Sequence, residues 1–490
     1  MNIEIKNFGP IEYLKIDLEK DLHLIYGKNA IGKSYAIYCI YCLLKNIRNT
    51  RNREMSPVST RRFGEAHFLS QEEPNLSSLF RGSNTRDQKY KKAEQKDITK
   101  LYTEIIERDF RILFLKEFEN SLLNTFSDLK NLRNRYNDKN FEVIINLPNS
   151  NICKRLTIFL SEDENLDIKF EFEKRVEFLE KNTKTTRYSI YVNGEKLFGV
   201  STQQEFLQEF RSYLLLEIIH IYDDLNANMR EIYFLPASRS GLYQALNSFA
   251  PIIAELTQSR FFIASKNIEL PSLSEPLSDY FIDLSTVDKT YINTEFSDLV
   301  QQVERNILKG EVDYDEKTKK ITYKPNGLNI ELNLSEASSM VAELTPLVLY
   351  LKHIINHKFN PDKGDPFFAF VHSTPNKGSD LLFIEEPEAH LHPDVQVELM
   401  RIFAELTKHR LKMFITSHSN YMFHKFNNII LSKGIDAQKI SVYHLVQAKN
   451  GSTQDIQMIA SHEGIDDNNF QETSEHLYEE RMRILEEVEA

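Results

Sequence analysis

The sequence contains only three cysteines among its 490 residues, and this scarcity limits the chemistry that cysteine can supply. A four-cysteine zinc site is excluded, because Cys39 and Cys42 form one C-x-x-C pair and only Cys153 remains. The pair lies on an apolar stretch predicted to be helical. We therefore interpret both cysteines as parts of a packed core.

Long apolar runs are also missing. No run approaches the roughly 18 apolar residues that a membrane-spanning helix needs. The first residues alternate polar and apolar side chains as a strand does, without the basic start and apolar run of a signal peptide. Together with the few cysteines, these absences predict a protein of the reducing cytoplasm with no membrane partner.

Glycine is scarce as well, with 15 residues, yet two glycines stand five positions apart in the segment Gly27–Ser34, GKNAIGKS. The segment fits the phosphate-binding pattern GxxxxGK[ST] in full, and it lies between two predicted strands and a predicted helix. Glycine backbones in this pattern turn N–H groups toward phosphate oxygens, and the helix N-terminus adds its dipole. We expect Lys33 to reach the β and γ phosphates and the Ser34 hydroxyl to bind Mg²⁺.

An overall net charge of −12 argues against a surface built for non-specific DNA binding. Basic residues nevertheless predominate between residues 45 and 100, a stretch that includes Arg48, Arg51 and Arg53. This basic segment is compatible with a solvated surface, with a docking site for an acidic partner, or with a nucleic-acid contact.

Two consecutive carboxylates, Glu385 and Glu386, follow the apolar segment 381–384. The segment is predicted to be a buried strand, and ligands of parallel α/β sheets bind at the carboxyl ends of strands. Because adjacent strand residues point in opposite directions, we assign the two carboxylates separate roles. Glu385 is expected to hold Mg²⁺, directly or through water, and Glu386 to polarise the attacking water. The alternative is a strand that ends in solvated acids.

A second apolar segment, residues 414–417, is followed by His418. The histidine is placed to bond the γ phosphate or the attacking water. A lone histidine at a strand end is usually structural, so this assignment depends on the two motifs above. Between the motifs, residues 101–136 are predicted to be helical and residues 141–200 to form strands, with a hairpin turn at Asn193-Gly194.

Three motifs resemble, in this order, those of the ABC-type ATPase domains of RecF and of the bacterial overcoming-lysogenization-defect (OLD) proteins: GKNAIGKS, LLFIEEPEAHLHP and FITSHS. The opening IKNFGPI is similar to the first strand of that group, and residues 233–241 match it more weakly. The resemblance covers residues 1–45 and 330–450. It implies an α/β fold, namely an ABC-type P-loop ATPase head with a mixed sheet that is interrupted by a helical and β insertion.

The resemblance and the predicted elements divide the chain into five parts. These are the N-terminal part of the ATPase domain with the P-loop (1–45), a helical and β insertion (46–230), an ATPase lobe with helices and a β hairpin (231–330), the C-terminal part of the ATPase domain (331–450) and an acidic C-terminal helix (451–490).

The resemblance further implies a homodimer, or a higher homo-oligomer, with ATP held between the P-loop of one subunit and the signature helix of the other. Ser338 and Ser339 are the candidates for the signature, where Met340 replaces the glycine that relatives tend to carry. The alternative is that these serines only cap a helix. The residues expected to bind the nucleotide are Gly27, Asn29, Gly32, Lys33, Ser34, Ser338 and Ser339.

A glutamine loop is also expected of ABC ATPases. Gln71 and Gln244 are its candidates, and Arg239 is a further candidate to face the nucleotide. His390 and His392 have an H-x-H spacing, but the resemblance places this segment at the dimer interface, and we assign no metal site to it.

The function that the resemblance implies is Mg²⁺-dependent hydrolysis of ATP to ADP and phosphate. OLD nucleases carry a metal-dependent Toprim domain after the ATPase, whereas only 72 residues follow His418 here, so we do not expect a nuclease in this chain alone. Relatives of this kind commonly act in bacterial anti-phage defence with a separate effector, a toxin or a nuclease. Our first expectation is an ATP-gated dimeric head that senses infection and holds or activates such an effector. The alternatives are a RecF-like DNA-repair ATPase that binds DNA, and a nuclease with an unrecognised site in the insertion.

Overall fold

The computed structural model describes residues 1–54, 79–80, 94–182, 186–245, 273–316, 318–355, 378–455, 461, 464–465 and 470–489. Its strands are β1 (Asn2–Phe8), β2 (Ile11–Asp17), β3 (Leu22–Gly27), β4 (Glu94–Asp97), β5 (Glu142–Asn146), β6 (Cys153–Leu160), β7 (Leu166–Phe172), β8 (Val176–Asn182), β9 (Thr186–Val192), β10 (Glu195–Val200), β11 (Met229–Leu235), β12 (Gly310–Asp315), β13 (Lys320–Pro325), β14 (Leu332–Asn333), β15 (Ser379–Glu385), β16 (Leu411–Ser417), β17 (Ile440–Ala448) and β18 (Gly451–Gln454). Its α-helices are α1 (Lys33–Glu54), α2 (Thr99–Phe110), α3 (Lys116–Phe126), α4 (Gln203–Asn226), α5 (Glu275–Ser285), α6 (Ser297–Gln302), α7 (Ser339–Leu349), α8 (Pro393–Leu406), α9 (Asn420–Leu431) and α10 (Gln471–Glu489).

Three strands, and not the two that the sequence pattern predicts, precede the P-loop. The chain reverses between β1 and β2 at Gly9, whose φ of 55° lies in the left-handed region that glycine adopts without strain. A Cβ atom at this position would lie 2.8 Å from the ring of Tyr35. Glycine is therefore required both by the turn and by the close approach of α1.

Within the described residues, the central sheet is mixed and contains eleven strands, in the order β11-β15-β16-β3-β17-β18-β2-β1-β5-β6-β7. The neighbours from β11 to β17 are parallel, β17 pairs antiparallel with β18, and β18 pairs parallel with β2. The neighbours from β2 to β7 are antiparallel. Two smaller sheets have the orders β10-β9-β8-β4 and β12-β13-β14. The predicted fold class, an α/β ABC-type head with a mixed sheet and a helical and β insertion, is confirmed by this topology.

The segment between the P-loop helix and β11 contains both helices and strands. The predicted helical region ends at Phe126, because Ser127 has a φ of 70° and stops α3. Strands β5 to β10 follow, and the hairpin between β9 and β10 turns at Asn193 and Gly194, both with positive φ, as predicted. Strands β5, β6 and β7 extend the central sheet at its antiparallel end.

Strands β3, β11, β15 and β16 are almost entirely buried, because helices cover both faces of this part of the sheet. Successive residues of β15 belong to different hydrophobic clusters, with Phe383 in the cluster that contains α1 and Leu382 in the cluster that contains α8 and α9. Cys39 and Cys42, on α1, are fully buried in the first cluster. Their interpretation as core residues is confirmed.

Helix α10 begins next to an aromatic anchor, since the ring of Phe470 lies 5.7 Å from that of Phe423 and 6.2 Å from that of Tyr26. Beyond this anchor the helix exposes large apolar side chains: Leu477, Tyr478, Met482, Ile484 and Leu485. Neither this helix nor any other in the described ranges is long and apolar enough to cross a bilayer.

Candidate nucleotide-binding site

The site lies at the carboxyl edge of the parallel strands, where three of them end side by side. In the register of the sheet, Glu385 of β15 is paired with Thr416 of β16, and Ser417 of β16 is paired with Tyr26 of β3. Residues immediately after these strands are therefore neighbours, although almost 400 positions of sequence separate them.

The P-loop connects β3 to α1 in a conformation that only glycine allows at two positions. Gly27 has a φ of 144° and Gly32 a φ of 100°. A Cβ atom would lie 2.5 Å from the carbonyl oxygen of Leu445 at Gly27, and 2.9 Å from Cγ of Pro10 at Gly32. Lys33 is the first residue of α1, so the loop leads directly into a helix N-terminus.

Lys33 is folded back over this loop. Its Nζ donates hydrogen bonds to the carbonyl oxygens of Gly27, at 2.8 Å, and Lys28, at 2.9 Å, and it lies 3.4 Å from Nδ1 of His418. Burial lowers the pKa of the ammonium group to about 8, although the carboxylates of Glu386 and Glu388 oppose this shift. The lysine thus links the P-loop with residues that follow β15 and β16.

Glu385 faces α1 from the end of β15. The hydroxyl of Tyr38 donates a hydrogen bond to its Oε2 at 2.8 Å. Burial raises the pKa of Glu385, and hydrogen bonds with Ser34 and Tyr38 work in the opposite direction. The side chains of Glu385 and Ser34 are therefore direct neighbours.

Glu386 contacts a different partner from the one that Glu385 contacts. The strand ends at Glu385, and Glu386 adopts a left-handed φ of 40°, a conformation that is unusual for a residue with a side chain. Its Oε1 lies 3.5 Å from Nε2 of His418, and hydrogen bonding to this histidine lowers the pKa of the carboxyl group. Backbone conformations of this kind concentrate at functional sites.

Glu388 holds the chain at His418, a role that the sequence analysis missed. Its Oε1 accepts hydrogen bonds from the backbone N–H of His418 at 2.5 Å and from the hydroxyl of Ser417 at 2.9 Å. Burial raises the pKa of this carboxyl group. The sequence signal was present, since Glu388 belongs to the quoted motif, but a carboxylate that bonds a distant backbone is not visible in a single sequence.

The remaining predicted nucleotide ligands are exposed. Asn29 lies on the P-loop itself, and Ser338 and Ser339 lie at the start of α7. Ser338 caps this helix, accepting a hydrogen bond from the backbone N–H of Val341 at 3.4 Å. Among the described residues, neither serine forms a hydrogen bond to the P-loop of the same chain.

The structure describes one of the two candidates for the glutamine loop. Gln71 lies outside the described residues, and Gln244 is exposed on the helical segment 239–245 that follows β11. Arg239 is only 1% exposed and donates to the backbone oxygen of Glu385, so the expectation that it faces the nucleotide is wrong.

The basic segment is engaged within the chain where the structure describes it. Arg48 is 5% exposed and lies 3.5 Å from Glu231, and Arg51 donates to Asp223 at 2.8 Å. Of the three alternatives for the basic segment, a direct contact of Arg48 with nucleic acid is not supported, because its side chain is buried. The side chain of Arg53 lies outside the described residues.

A glycine-constrained phosphate loop at a helix N-terminus, with a lysine and acidic side chains at the adjoining strand ends, defines a P-loop ATPase domain. The chain belongs to the AAA ATPase domain family AAA_15, whose profile matches residues 1–423. No curated protein matches the chain.

Solved structures that match the chain include heads of SMC proteins. One is an Smc head bound to the C-terminal winged-helix domain of ScpA, with 11% identity, a TM-score of 0.33 and coverage of 92% of this chain and 95% of that one. A second is an Smc head with an extended coiled coil bound to the C-terminal domain of ScpA from Pyrococcus furiosus, with 12% identity, a TM-score of 0.32 and coverage of 100% and 99%. The SMC head of Thermotoga maritima has 11% identity, a TM-score of 0.30 and coverage of 92% and 97%. At TM-scores this low, the likeness adds nothing to the topology described above.

Proposed function

We propose that the chain binds ATP with Mg²⁺ at the P-loop and hydrolyses it as the ATP-gated subunit of a bacterial anti-phage defence system. The observation that supports the enzymatic part is the convergence of Lys33, Glu386 and His418 at one edge of the sheet. Distant segments of the chain supply these three groups. A strand that merely ended in solvated acids would not need a lysine and a histidine from other segments beside it.

Within this proposal the P-loop glycines, Asn29 and Lys33 bind the phosphates. Lys33 already lies over the loop in a position from which its ammonium group can exchange carbonyl oxygens for phosphate oxygens. Glu386 orients and polarises the attacking water, and His418 bonds the γ phosphate or that water.

Ser34 and Glu385 are the residues that would hold Mg²⁺. They fit a hard cation, because both offer oxygen ligands and because the buried carboxylate of Glu385 accepts a hydrogen bond from Tyr38 and forms no ion pair within 4.0 Å among the described residues. A cation bound there would neutralise charge that develops on the phosphates.

The quaternary part of the proposal is a homodimer, or a higher homo-oligomer, that closes over ATP. Ser338 and Ser339 are exposed at a helix N-terminus, where hydroxyl and backbone N–H groups can bond the phosphate held by another subunit. ATP binding closes the heads and hydrolysis opens them, and the separate toxin or nuclease effector is held or released by this cycle.

The enzymatic proposal is tested with purified wild-type chain, Lys33→Ala and Glu386→Gln. Lys33→Ala should abolish nucleotide binding, whereas Glu386→Gln should bind ATP and lose roughly 100- to 10,000-fold in turnover, as expected when a positioned base is removed. Glu405→Gln, a matched change at an ion pair with Lys408 on the surface of α8, should behave like the wild type. Normal hydrolysis by Glu386→Gln would show that another group activates the water.

The defence proposal is tested in cells that carry the chain with its genomic neighbours. These cells should plate phage less efficiently than cells in which the chain carries Lys33→Ala. Equal plating by both strains contradicts a role in defence without affecting the enzymatic assignment.

A further inference from the structure

Arg239 is a buried arginine that connects three elements around the end of β15. It is the first residue of the helical segment 239–245, just after the turn that follows β11, and its Nη1 donates to the carbonyl oxygens of Pro236 and Glu385, each at 3.0 Å. Its Nε donates to the carbonyl oxygen of Glu343 on α7, also at 3.0 Å. One guanidinium group thus holds the turn, the helix and the strand end together.

Glu343 completes the connection from the side of α7. Its carboxylate is fully buried and lies 3.4 Å from Nη2 of Arg239. It accepts hydrogen bonds from the backbone N–H of Arg239 at 3.1 Å, from the backbone N–H of Ser240 at 3.3 Å, and from the hydroxyl of Ser240 at 2.6 Å. The side chains around this ion pair are mostly apolar: Leu235, Leu344, Leu347 and Ile384.

Stability alone does not explain a charged connection in such surroundings. Apolar side chains of similar size often stabilise a core as well as a buried ion pair does, because both ions must be removed from water. What an arginine adds is a planar set of donors that reaches several acceptors at once in a fixed geometry. Here those acceptors belong to separate elements.

Both ends of the connection lead to proposed functional residues. Glu343 is one helical turn after Ser339, at the start of α7. Glu385, whose carbonyl oxygen Arg239 contacts, is followed directly by Glu386. A displacement of the start of α7 therefore acts on the backbone that carries the two carboxylates.

We propose that Arg239 and Glu343 are positioning residues that couple the start of α7 to the placement of Glu385 and Glu386. The inference rests on the proposed function, in which the start of α7 meets the nucleotide of a partner subunit. The ion pair then makes the carboxylates of one site respond to occupancy of the other site. Hydrolysis in the dimer becomes cooperative in ATP.

The test is the double substitution Arg239→Met/Glu343→Met in the full chain, which removes both charges and leaves none unpaired. We expect kcat to fall roughly 10- to 100-fold, the range typical of groups that orient a reacting side chain from behind. KM and the affinity for ATP should stay at their wild-type values, and the cooperative dependence of the rate on ATP should disappear. A general loss of stability would not lower kcat and cooperativity while leaving KM and the affinity for ATP unchanged.

The matched control is Lys174→Met/Glu217→Met, which removes another buried ion pair, between the segment after β7 and helix α4. This variant should retain wild-type kcat and cooperativity. A second variant, Ser240→Ala, removes a single hydrogen bond to Glu343 at a half-buried position, and it should lower kcat in the same direction by a smaller factor.

The proposal is overturned if the double variant keeps the wild-type melting transition together with wild-type kcat and cooperativity. Where the double variant does not fold, unchanged kcat and cooperativity in Ser240→Ala overturn it. If the wild-type chain hydrolyses ATP and the variants do so equally well, this inference alone is contradicted. If the wild-type chain does not hydrolyse ATP, the proposed function is contradicted as well.

Discussion

Single side chains at the edge of the parallel strands hold one another through hydrogen bonds that cross between elements. Tyr38 on α1 donates to Glu385 on β15, and Glu388 accepts from the backbone of His418 after β16. Each proposed reactive group therefore has a neighbour that fixes its orientation. Residues of this supporting kind are the ones that the sequence analysis did not find.

At the residue scale, we predict that Tyr38→Phe weakens the apparent affinity for Mg²⁺ by roughly 10- to 100-fold, as is typical when a hydrogen bond to a metal ligand is removed. The phenol contributes the hydrogen bond that orients the Glu385 carboxylate, and phenylalanine keeps the ring while removing it. The measurement is a Mg²⁺ titration of the ATPase rate at saturating ATP.

Tyr41→Phe is the matched control for this titration. Tyr41 lies three residues along the same helix, and its hydroxyl donates to Asp279 at 2.6 Å instead of to the site. This variant should show the Mg²⁺ dependence of the wild type. An unaltered Mg²⁺ dependence in Tyr38→Phe would remove the support for Glu385 as a metal ligand.

At the scale of elements, α5 docks on α1 through carboxylates. Asp279 of α5 accepts from Tyr41 and lies 3.5 Å from Lys45, and Asn46 donates to Glu275 at 3.3 Å. Burial, and then the neighbouring Asp279, raises the pKa of Glu275 to about 7 from its ordinary value of 4.5. The contact between the two helices therefore contains a carboxyl group that titrates near neutrality.

This shift gives a signed prediction for the pH dependence of stability. Between about 4.5 and about 7 the folded chain binds more protons at Glu275 than the unfolded chain does, so the free energy of unfolding falls as pH rises through this interval. Glu275→Gln stays neutral and can still accept from Asn46. It should be more stable than the wild type at about pH 8, by up to roughly 3 kcal/mol, and equal to it below the ordinary carboxyl pKa.

Urea denaturation at several pH values measures this difference. The control is Glu209→Gln, which makes the same chemical change at an exposed position of α4. It should leave the pH profile unaltered. If the free energy of unfolding of Glu275→Gln depends on pH as that of the wild type does, a group other than Glu275 causes this dependence.

At the scale of the whole molecule, the proposed function requires a second chain at the ATP site. Ser338 and Ser339 are exposed and form no hydrogen bond to the P-loop of their own chain within the described residues. A contribution of these serines to hydrolysis requires that they meet the nucleotide of another subunit. The oligomeric state should therefore depend on ATP.

We predict that Glu386→Gln forms a dimer in the presence of ATP and Mg²⁺, and that adding Ser339→Arg abolishes this dimer. The arginine places bulk and charge at the exposed start of α7, while ATP binding to the single chain should persist. Light scattering after size-exclusion chromatography gives the mass, and equilibrium binding of a fluorescent ATP analogue gives the affinity.

Ser285→Arg serves as the control, since it adds the same side chain at the exposed end of α5. It should leave the ATP-dependent dimer intact. A dimer that persists in the Ser339→Arg variant would place the subunit contact elsewhere on the molecule.

Much of the fold follows from local patterns in the sequence. Alternation of polar and apolar residues predicts the strands that lead to the P-loop, continuous apolar segments predict the strands that lead to Glu385 and to His418, and the glycine spacing of the P-loop predicts its position between β3 and α1. These predictions succeed because strand periodicity and glycine conformations depend on residues that are close in sequence. The reversal at Gly9 was missed, because the two short strands that it separates read as one.

The sequence by itself determined that the chain carries a phosphate-binding loop and two strands with polar residues at their carboxyl ends. Only the tertiary structure decided which distant residues support them: Tyr38, Arg239, Glu343 and Glu388. It also decided that Arg48 and Arg239 are buried ion-pair partners and do not face ligands. The physical reason is that burial and ion pairing depend on how the elements pack. The sequence around an arginine looks the same whether its side chain contacts water or a buried carboxylate.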